Sequence, residues 1–83
     1  MTAPTEKDIR YAFEEVVREY QRAKTIFPER FHSRHEAYAV VLEEMDELWE
    51  TIKHNEPVER IREEAVQVAA MVMQFLAELE EKE

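Results

Sequence analysis

Two segments of this chain repeat nearly the same pattern of apolar and acidic residues: Val41-Leu42-Glu43-Glu44-Met45-Asp46-Glu47-Leu48 and Ile61-Arg62-Glu63-Glu64-Ala65-Val66-Gln67-Val68. Apolar residues recur at three- and four-residue spacing in both segments, which predicts two helices. At about 100° per residue, Glu44 lies roughly 60° from the apolar line of its helix and Glu47 roughly 120° from it. Glu64 and Gln67 hold the equivalent positions on the second helix.

The acidic and amide residues occupy equivalent helical positions in the two segments, which predicts a cluster of polar side chains. If the helices pack antiparallel, three carboxylates and one amide converge at the edge of the core. Carboxylates brought together in this way repel and desolvate one another, so the arrangement normally implies a hard cation. A single Glu-x-x-Glu is a weak signal in an acidic chain, because most acids solvate helix surfaces. The second copy of the pattern is what favours a site.

Length and composition indicate one all-α domain, residues 1–83. The chain has no glycine, no cysteine and three prolines, and 45% of its residues are hydrophobic. Helical spacing without glycine favours helices throughout, and disulfide chemistry is excluded. A domain of this size buries only about 60% of the surface that its unfolded chain exposes, so we expect it to associate.

Local signals place three helices, at about residues 5–24, 33–53 and 57–79. Thr5-Glu6-Lys7-Asp8 resembles a capping box, and Ser33 with Glu36 predicts the second start. The turn His54-Asn55-Glu56-Pro57 is short, so the second and third helices should form an antiparallel hairpin.

The third helix is apolar over most of its circumference between residues 65 and 77, which is typical of a helix buried on all sides. One hairpin partner cannot cover it. We therefore expect a homodimer whose four-helix core contains the second and third helices of each chain, with the first helix outside. Trp49, Tyr38 and Phe75 are candidates for core or interface packing, and Met71 and Met73 for interface packing.

The charge pattern excludes several classes of protein. A net charge of −9 argues against a nucleic-acid polymer as partner. The longest uncharged stretch has 13 residues, too few to cross a membrane, and no signal-peptide pattern opens the chain. These features indicate a soluble, cytoplasmic protein. His32 and His35 lie at the start of a helix, and no third metal ligand is near them in the sequence. A role in the helix-capping region is therefore favoured over a transition-metal site.

The paired motifs resemble those of a known family. Glu44-Met45-Asp46-Glu47 and Glu63-Glu64-Ala65-Val66-Gln67 are similar to the Glu-x-x-Glu and Glu-x-x-Asp helices of the MazG-like all-α nucleoside triphosphate pyrophosphohydrolases, over residues 35–79. The resemblance implies that Glu44, Glu47 and Glu64 bind Mg²⁺, or Mn²⁺. It implies hydrolysis of a nucleoside triphosphate to the monophosphate and pyrophosphate by a metal-activated water. A dimer or dimer of dimers is implied as well.

The chain departs from the family pattern at the fourth ligand, where Gln67 replaces an aspartate. An amide oxygen can coordinate Mg²⁺ but supplies no charge. The family's lysine and asparagine beyond this position have no obvious counterparts, which leaves Lys53, Arg60, Arg34 and Arg30 as candidates for holding phosphate.

Two other functions remain open from the sequence. One is a weakly active or inactive family member that acts as a nucleotide-binding or protein-interaction dimer, and the departure at Gln67 motivates it. The other is a purely structural helical bundle. Base and sugar specificity, and dimer against tetramer, are not determined by the sequence.

Overall fold

The computed structural model describes residues 2–79, so the predicted domain limits, residues 1 and 83, lie outside it. This part of the chain consists of three α-helices and contains no strand: α1 (Glu6–Ile26), α2 (Arg34–Lys53) and α3 (Val58–Leu79). The all-α prediction is confirmed, and the helix limits lie within two residues of those expected. Across residues 2–79, no helix combines the length and the apolar character that a membrane span requires.

The predicted helix starts are built from side-chain caps. Asp8 N donates to Thr5 Oγ1 at 3.1 Å and Thr5 N donates to Asp8 Oδ2 at 2.9 Å, which is a complete capping box. At α2, Glu36 N donates to Ser33 Oγ at 3.0 Å, but the Glu36 carboxylate accepts from His32 N, at 2.7 Å. Glu36 therefore reaches one residue further back than a capping box requires.

The turn between α2 and α3 depends on Asn55, which has a φ of +52°. Asn55 N donates to Ile52 O at 3.1 Å and Glu56 N donates to Thr51 O at 3.0 Å. These two bonds form a Schellman motif, in which a left-handed residue ends the helix. The motif turns the chain back within a few residues, which brings α3 against α2 as a hairpin.

We expect Asn55→Ala to destabilise the protein and Asn55→Gly to leave it equally stable or more stable. A Cβ in the left-handed region costs about 1–2 kcal/mol, and asparagine offsets part of this through local hydrogen bonding, whereas glycine avoids it. Thermal unfolding followed by circular dichroism measures the difference, at about 4–8 °C per kcal/mol for a domain of this size. Equal melting temperatures for the two variants would contradict this role of the turn.

Helix α3 is the central element. It packs against both α2 and α1, whereas no Cα atom of α1 lies within 8 Å of a Cα atom of α2 in the described part of the chain. A paired contact ties α1 to α3: Arg62 Nε donates to Glu15 Oε2 at 3.1 Å, and Arg62 Nη2 donates to Glu15 Oε1. The hydrogen bonds from Arg62 lower the pKa of Glu15. This central position agrees with the expectation that the third helix is covered on more than one side.

The inner seam of the α2–α3 hairpin is small and polar, contrary to expectation. Among residues 2–79, the buried side chains are Ala37 and Thr51 on α2, and Glu64, Ala70 and Gln74 on α3. The sequence predicted that the apolar lines through Met45 and Val72 would be buried and that the acids would border them. Within one chain, Met45, Ile52 and Val72 of these lines are exposed, whereas Val41, Leu48, Ile61 and Val68 are half-buried. The two helices meet along a face displaced to one side of the lines, toward Ala37, Thr51 and Glu64.

The outward apolar side chains of α2 form a regular line, here called the outer stripe: Tyr38, Leu42, Met45, Trp49 and Ile52. Each of them is 44–67% exposed. They alternate in steps of four and three residues, which is the spacing of a helix–helix seam. No large side chain is fully buried in the described residues. The single chain therefore leaves much of its apolar surface in water. Burial of this surface would stabilise the protein by about 25 cal/mol per Å² of apolar area.

Candidate metal centre

The three predicted carboxylate ligands converge. Glu44 and Glu47 lie three residues apart on α2, so their side chains project from one helix face. The hairpin places Glu64 of α3 opposite them. One carboxylate oxygen from each residue lies within 4.8 Å of the others. Helical phase thus predicted a real spatial cluster, here called the acid cluster.

The acid cluster runs from the interior to the solvent. Glu64 is 6% exposed, Glu44 is half-buried and Glu47 is exposed. Burial raises the pKa of Glu44, and the charges of Glu47 and Glu64 raise it further. At an effective dielectric constant of 20, two ionised groups at this separation repel by about 3–4 kcal/mol. A cation between them would replace this repulsion with attraction.

Gln67 joins the acid cluster as its fourth member. Its amide nitrogen, assigned as the atom that faces the carboxylates, lies 3.1 Å from both Glu44 Oε2 and Glu64 Oε2. In this orientation the amide donates to both acids and offsets part of their repulsion. Turned over, the same side chain would present its oxygen to a cation. Gln67 therefore fits the predicted position of a neutral fourth ligand.

Arg60 is the predicted phosphate ligand that lies at the acid cluster. Its Nη2 donates to Glu64 Oε1 at 3.2 Å, and its Nη1 donates to Glu63 Oε1 at 2.8 Å. Its Nε lies 3.6 Å from Glu56 Oε1. The guanidinium supplies one positive charge beside the buried Glu64 and holds that carboxylate in place.

The other basic candidates lie further away along α2. Lys53 Nζ pairs with Glu50 at 2.8 Å, and its Cα lies six residues, or about 9 Å, beyond Glu47. Arg34 begins α2, ten residues or about 15 Å before Glu44. Arg30 and Arg34 line a cavity at that far end of the hairpin. Their roles in binding phosphate stay predictions.

Glu19 of α1 also acts on the centre, and the sequence analysis missed it. Its charge contributes to raising the pKa of Glu44. Its side chain is only 17% exposed and accepts two hydrogen bonds from Arg22, at 3.0 and 2.7 Å. The available signal was the position of Glu19 on the apolar line of α1, three residues after Val16 and four before Ala23.

Comparison with known proteins identified no relative: no family model, no curated protein and no solved structure matches this chain. The resemblance to the MazG-like enzymes therefore stays a prediction that depends on the motifs around Glu44 and Glu64.

Proposed function

We propose that this protein is a magnesium-dependent nucleoside triphosphate pyrophosphohydrolase, with Mn²⁺ as a possible substitute for the metal. The observation that carries the proposal is the acid cluster, in which three carboxylate oxygens from two helices lie within 4.8 Å of one another. Acidic side chains that bind no ligand repel one another, so in an acidic protein they are expected to point apart into water. These acids instead converge, and one of them is buried.

The donor set suits a hard cation. Carboxylate oxygens and an amide oxygen are ligands that Mg²⁺ accepts, and the cluster contains no sulfur or imidazole that would favour zinc. Mg²⁺ usually keeps several waters and bridges protein carboxylates to substrate phosphates. The exposed Glu47 leaves that side of the cluster open to solvent, where waters and phosphate oxygens would complete the coordination.

The residues would divide the work according to their burial. A bound metal would supply an activated water and neutralise charge on the phosphates. Glu44, the amide oxygen of Gln67 and the Arg60-bound carboxylate of Glu64 would anchor the ion from the interior side. Glu47, which faces solvent, would complete the carboxylate set on the open side, next to the coordinated water. Arg60 would add positive charge next to the phosphates.

One observation favours a second function, a nucleotide-binding or protein-interaction dimer without turnover. The Gln67 amide donates to both Glu44 and Glu64, so the two carboxylates already have a partner without a cation. A neutral fourth ligand also lowers the charge available to hold Mg²⁺. This alternative predicts that a nucleotide stabilises the protein and that no product forms.

The test is pyrophosphate release from a panel of ribo- and deoxyribonucleoside triphosphates with Mg²⁺ or Mn²⁺. We expect metal-dependent release that falls by at least about 100-fold in Glu44→Gln and in Glu64→Gln, because each variant removes a charged ligand. Asp46→Asn is the matched control, since Asp46 lies between the two α2 ligands on an exposed position outside the cluster. It should retain activity.

One result would test the site, and another would decide between the two functions. Release that persists in both glutamate variants would show that the acid cluster is not the site. Absence of release across the whole panel, together with stabilisation by nucleotide, would favour the binding module.

We further propose that the protein is a homodimer, or a dimer of dimers, in which α2 and α3 of each chain form a four-helix core. The support is the outer stripe, five large apolar side chains exposed at the spacing of a helix–helix seam. Among residues 2–79 no large side chain is fully buried, and an apolar line of this kind on such a small domain is typical of a surface that another chain covers.

A further inference from the structure

Gln67 differs from the other members of the acid cluster because its polar group has two unlike ends. The amide nitrogen lies 3.1 Å from Glu44 Oε2 and 3.1 Å from Glu64 Oε2. An amide NH₂ carries two protons, so it can donate one to each carboxylate. The amide therefore bridges α2 and α3 and satisfies one oxygen of each acid.

This donating orientation and a cation at the acid cluster exclude each other. The NH₂ protons point at the same carboxylate oxygens that a cation would bind, and a positive ion repels them. A half-turn of the amide about its last torsion places the oxygen of Gln67 where its nitrogen lies. That torsion is broad and roughly two-fold, so the turn moves neither the backbone nor the rest of the side chain.

The turned amide fits the coordination of Mg²⁺. Octahedral Mg²⁺ binds oxygens at about 2.0–2.1 Å, so neighbouring ligand oxygens lie about 2.9 Å apart. The end of the Gln67 amide lies 3.1 Å from one oxygen of Glu44 and 3.1 Å from one oxygen of Glu64, which is close to this spacing. An amide oxygen in that place would therefore be a neighbour of both carboxylates around one ion.

We propose that Gln67 is a cation-responsive switch: its NH₂ group bridges Glu44 and Glu64 when no divalent cation is bound, and its oxygen binds the cation when one is. The proposal rests on the metal centre of the proposed function and does not require turnover of a nucleotide. A cation must displace two hydrogen bonds and gains a neutral ligand, so the affinity for Mg²⁺ is lower than with a carboxylate at position 67. Gln67 thus lets the hairpin fold with or without the ion.

The first test follows the side-chain amide of Gln67 by ¹H–¹⁵N NMR in full-length protein during a titration with MgCl₂. Before the addition, we expect both Gln67 protons to exchange with water more slowly than those of Gln21, which is exposed on α1. With Mg²⁺ bound they should shift and exchange at least about tenfold faster, because two hydrogen bonds are lost. Gln74, whose Nε2 donates to Glu78 at 2.8 Å, is the internal control and should not respond. A titration with NaCl of equal ionic strength corrects for charge screening.

The NMR titration distinguishes failure of the switch from failure of the metal centre. Backbone amides of Glu44 and Glu47 that respond to Mg²⁺, with an unchanged Gln67 side chain, would refute the switch and leave the metal centre standing. No response to Mg²⁺ anywhere in the acid cluster would refute the metal centre, and with it both the switch and the proposed hydrolase.

Two variants of nearly equal length separate the donor from the ligand. Gln67→Glu loses the NH₂ group and adds a charged oxygen, so in calorimetric titration with MgCl₂ it should bind Mg²⁺ at least about tenfold more tightly. Without divalent cations it should melt several degrees below the parent, because a fourth carboxylate joins the acid cluster. Gln67→Met has neither donor nor oxygen and should bind Mg²⁺ at least about tenfold more weakly.

Gln21→Glu is the matched control, since it adds the same charge at an exposed position of α1 and should equal the parent in both measurements. Gln67→Met adds no charge, so the test remains valid if the fourth carboxylate of Gln67→Glu prevents folding. Parent-like affinity for Mg²⁺ in Gln67→Met would overturn the proposal, because the amide oxygen would then not be a ligand. Parent-like affinity in a folded Gln67→Glu would overturn it as well.

Discussion

Replacing Leu42 with glutamate is expected to convert the proposed dimer to a monomer and to lower its melting temperature by more than about 10 °C. Leu42 is the second of the five residues of the outer stripe and is 46% exposed in the single chain. In a two-fold symmetric interface the substitution enters twice, near its own symmetry mate. Each buried and unpaired charge costs several kcal/mol, which is a large part of the stability of a small domain.

Light scattering coupled to size-exclusion chromatography measures the mass, and circular dichroism measures the melting temperature, across a range of protein concentrations. Tyr11→Glu is the matched control, because Tyr11 of α1 is 56% exposed and lies outside the stripe. It should keep the parent mass. A dimer that survives Leu42→Glu would exclude the outer stripe as the interface, and a parent protein that is monomeric at all concentrations would exclude the assembly itself.

Magnesium is expected to reverse the stability order of the parent protein and Glu44→Gln. Without metal, Glu44→Gln should melt several degrees higher than the parent, because burial and the charges of Glu47 and Glu64 disfavour the ionised carboxylate. With Mg²⁺ at about 100 times its dissociation constant, the parent should gain about 2.7 kcal/mol, or on the order of 10 °C. The variant should gain only a small fraction of this.

The measurement is a pair of thermal melts for each protein, with MgCl₂ and with NaCl at the same ionic strength, so that charge screening is equal in the two. Asp46→Asn is the control and should respond to Mg²⁺ as the parent does. A parent melting temperature that is the same in both salts would contradict a metal centre at the acid cluster, whatever the outcome of the activity assay.

The features of the fold that depend on local sequence were predictable. The capping box at Thr5, the Ser33 cap and the left-handed Asn55 each act within a few residues, so their chemistry is readable along the chain. The acid cluster was also predictable, since helical phase and a short turn are enough to bring Glu44 and Glu64 to the same place.

The orientation of the helices about their own axes was not predictable in the same way. An apolar stripe and a polar stripe lie side by side on α2, and periodicity does not say which of them meets α3 and which remains for another partner. Met45 was expected inside the hairpin and lies 46% exposed, whereas Glu64 was expected at the border and is buried. Glu19 was missed for a related reason, because its approach to Glu44 depends on how α1 crosses α3.

Because the inner seam of the hairpin is polar and the outer stripe is apolar, substitutions at the two surfaces have different effects. Side chains that would bind a ligand, such as Glu44, Glu64 and Gln67, face the interior of one chain, while the large apolar side chains that can bind a second chain face outward. Substitutions at the outer stripe can therefore alter the strength of association without touching the ligands. Substitutions along the inner seam can alter the proposed metal centre without rebuilding the outer stripe. A lineage that carries this hairpin can therefore change its ligand chemistry and its apolar outer surface by independent mutational steps.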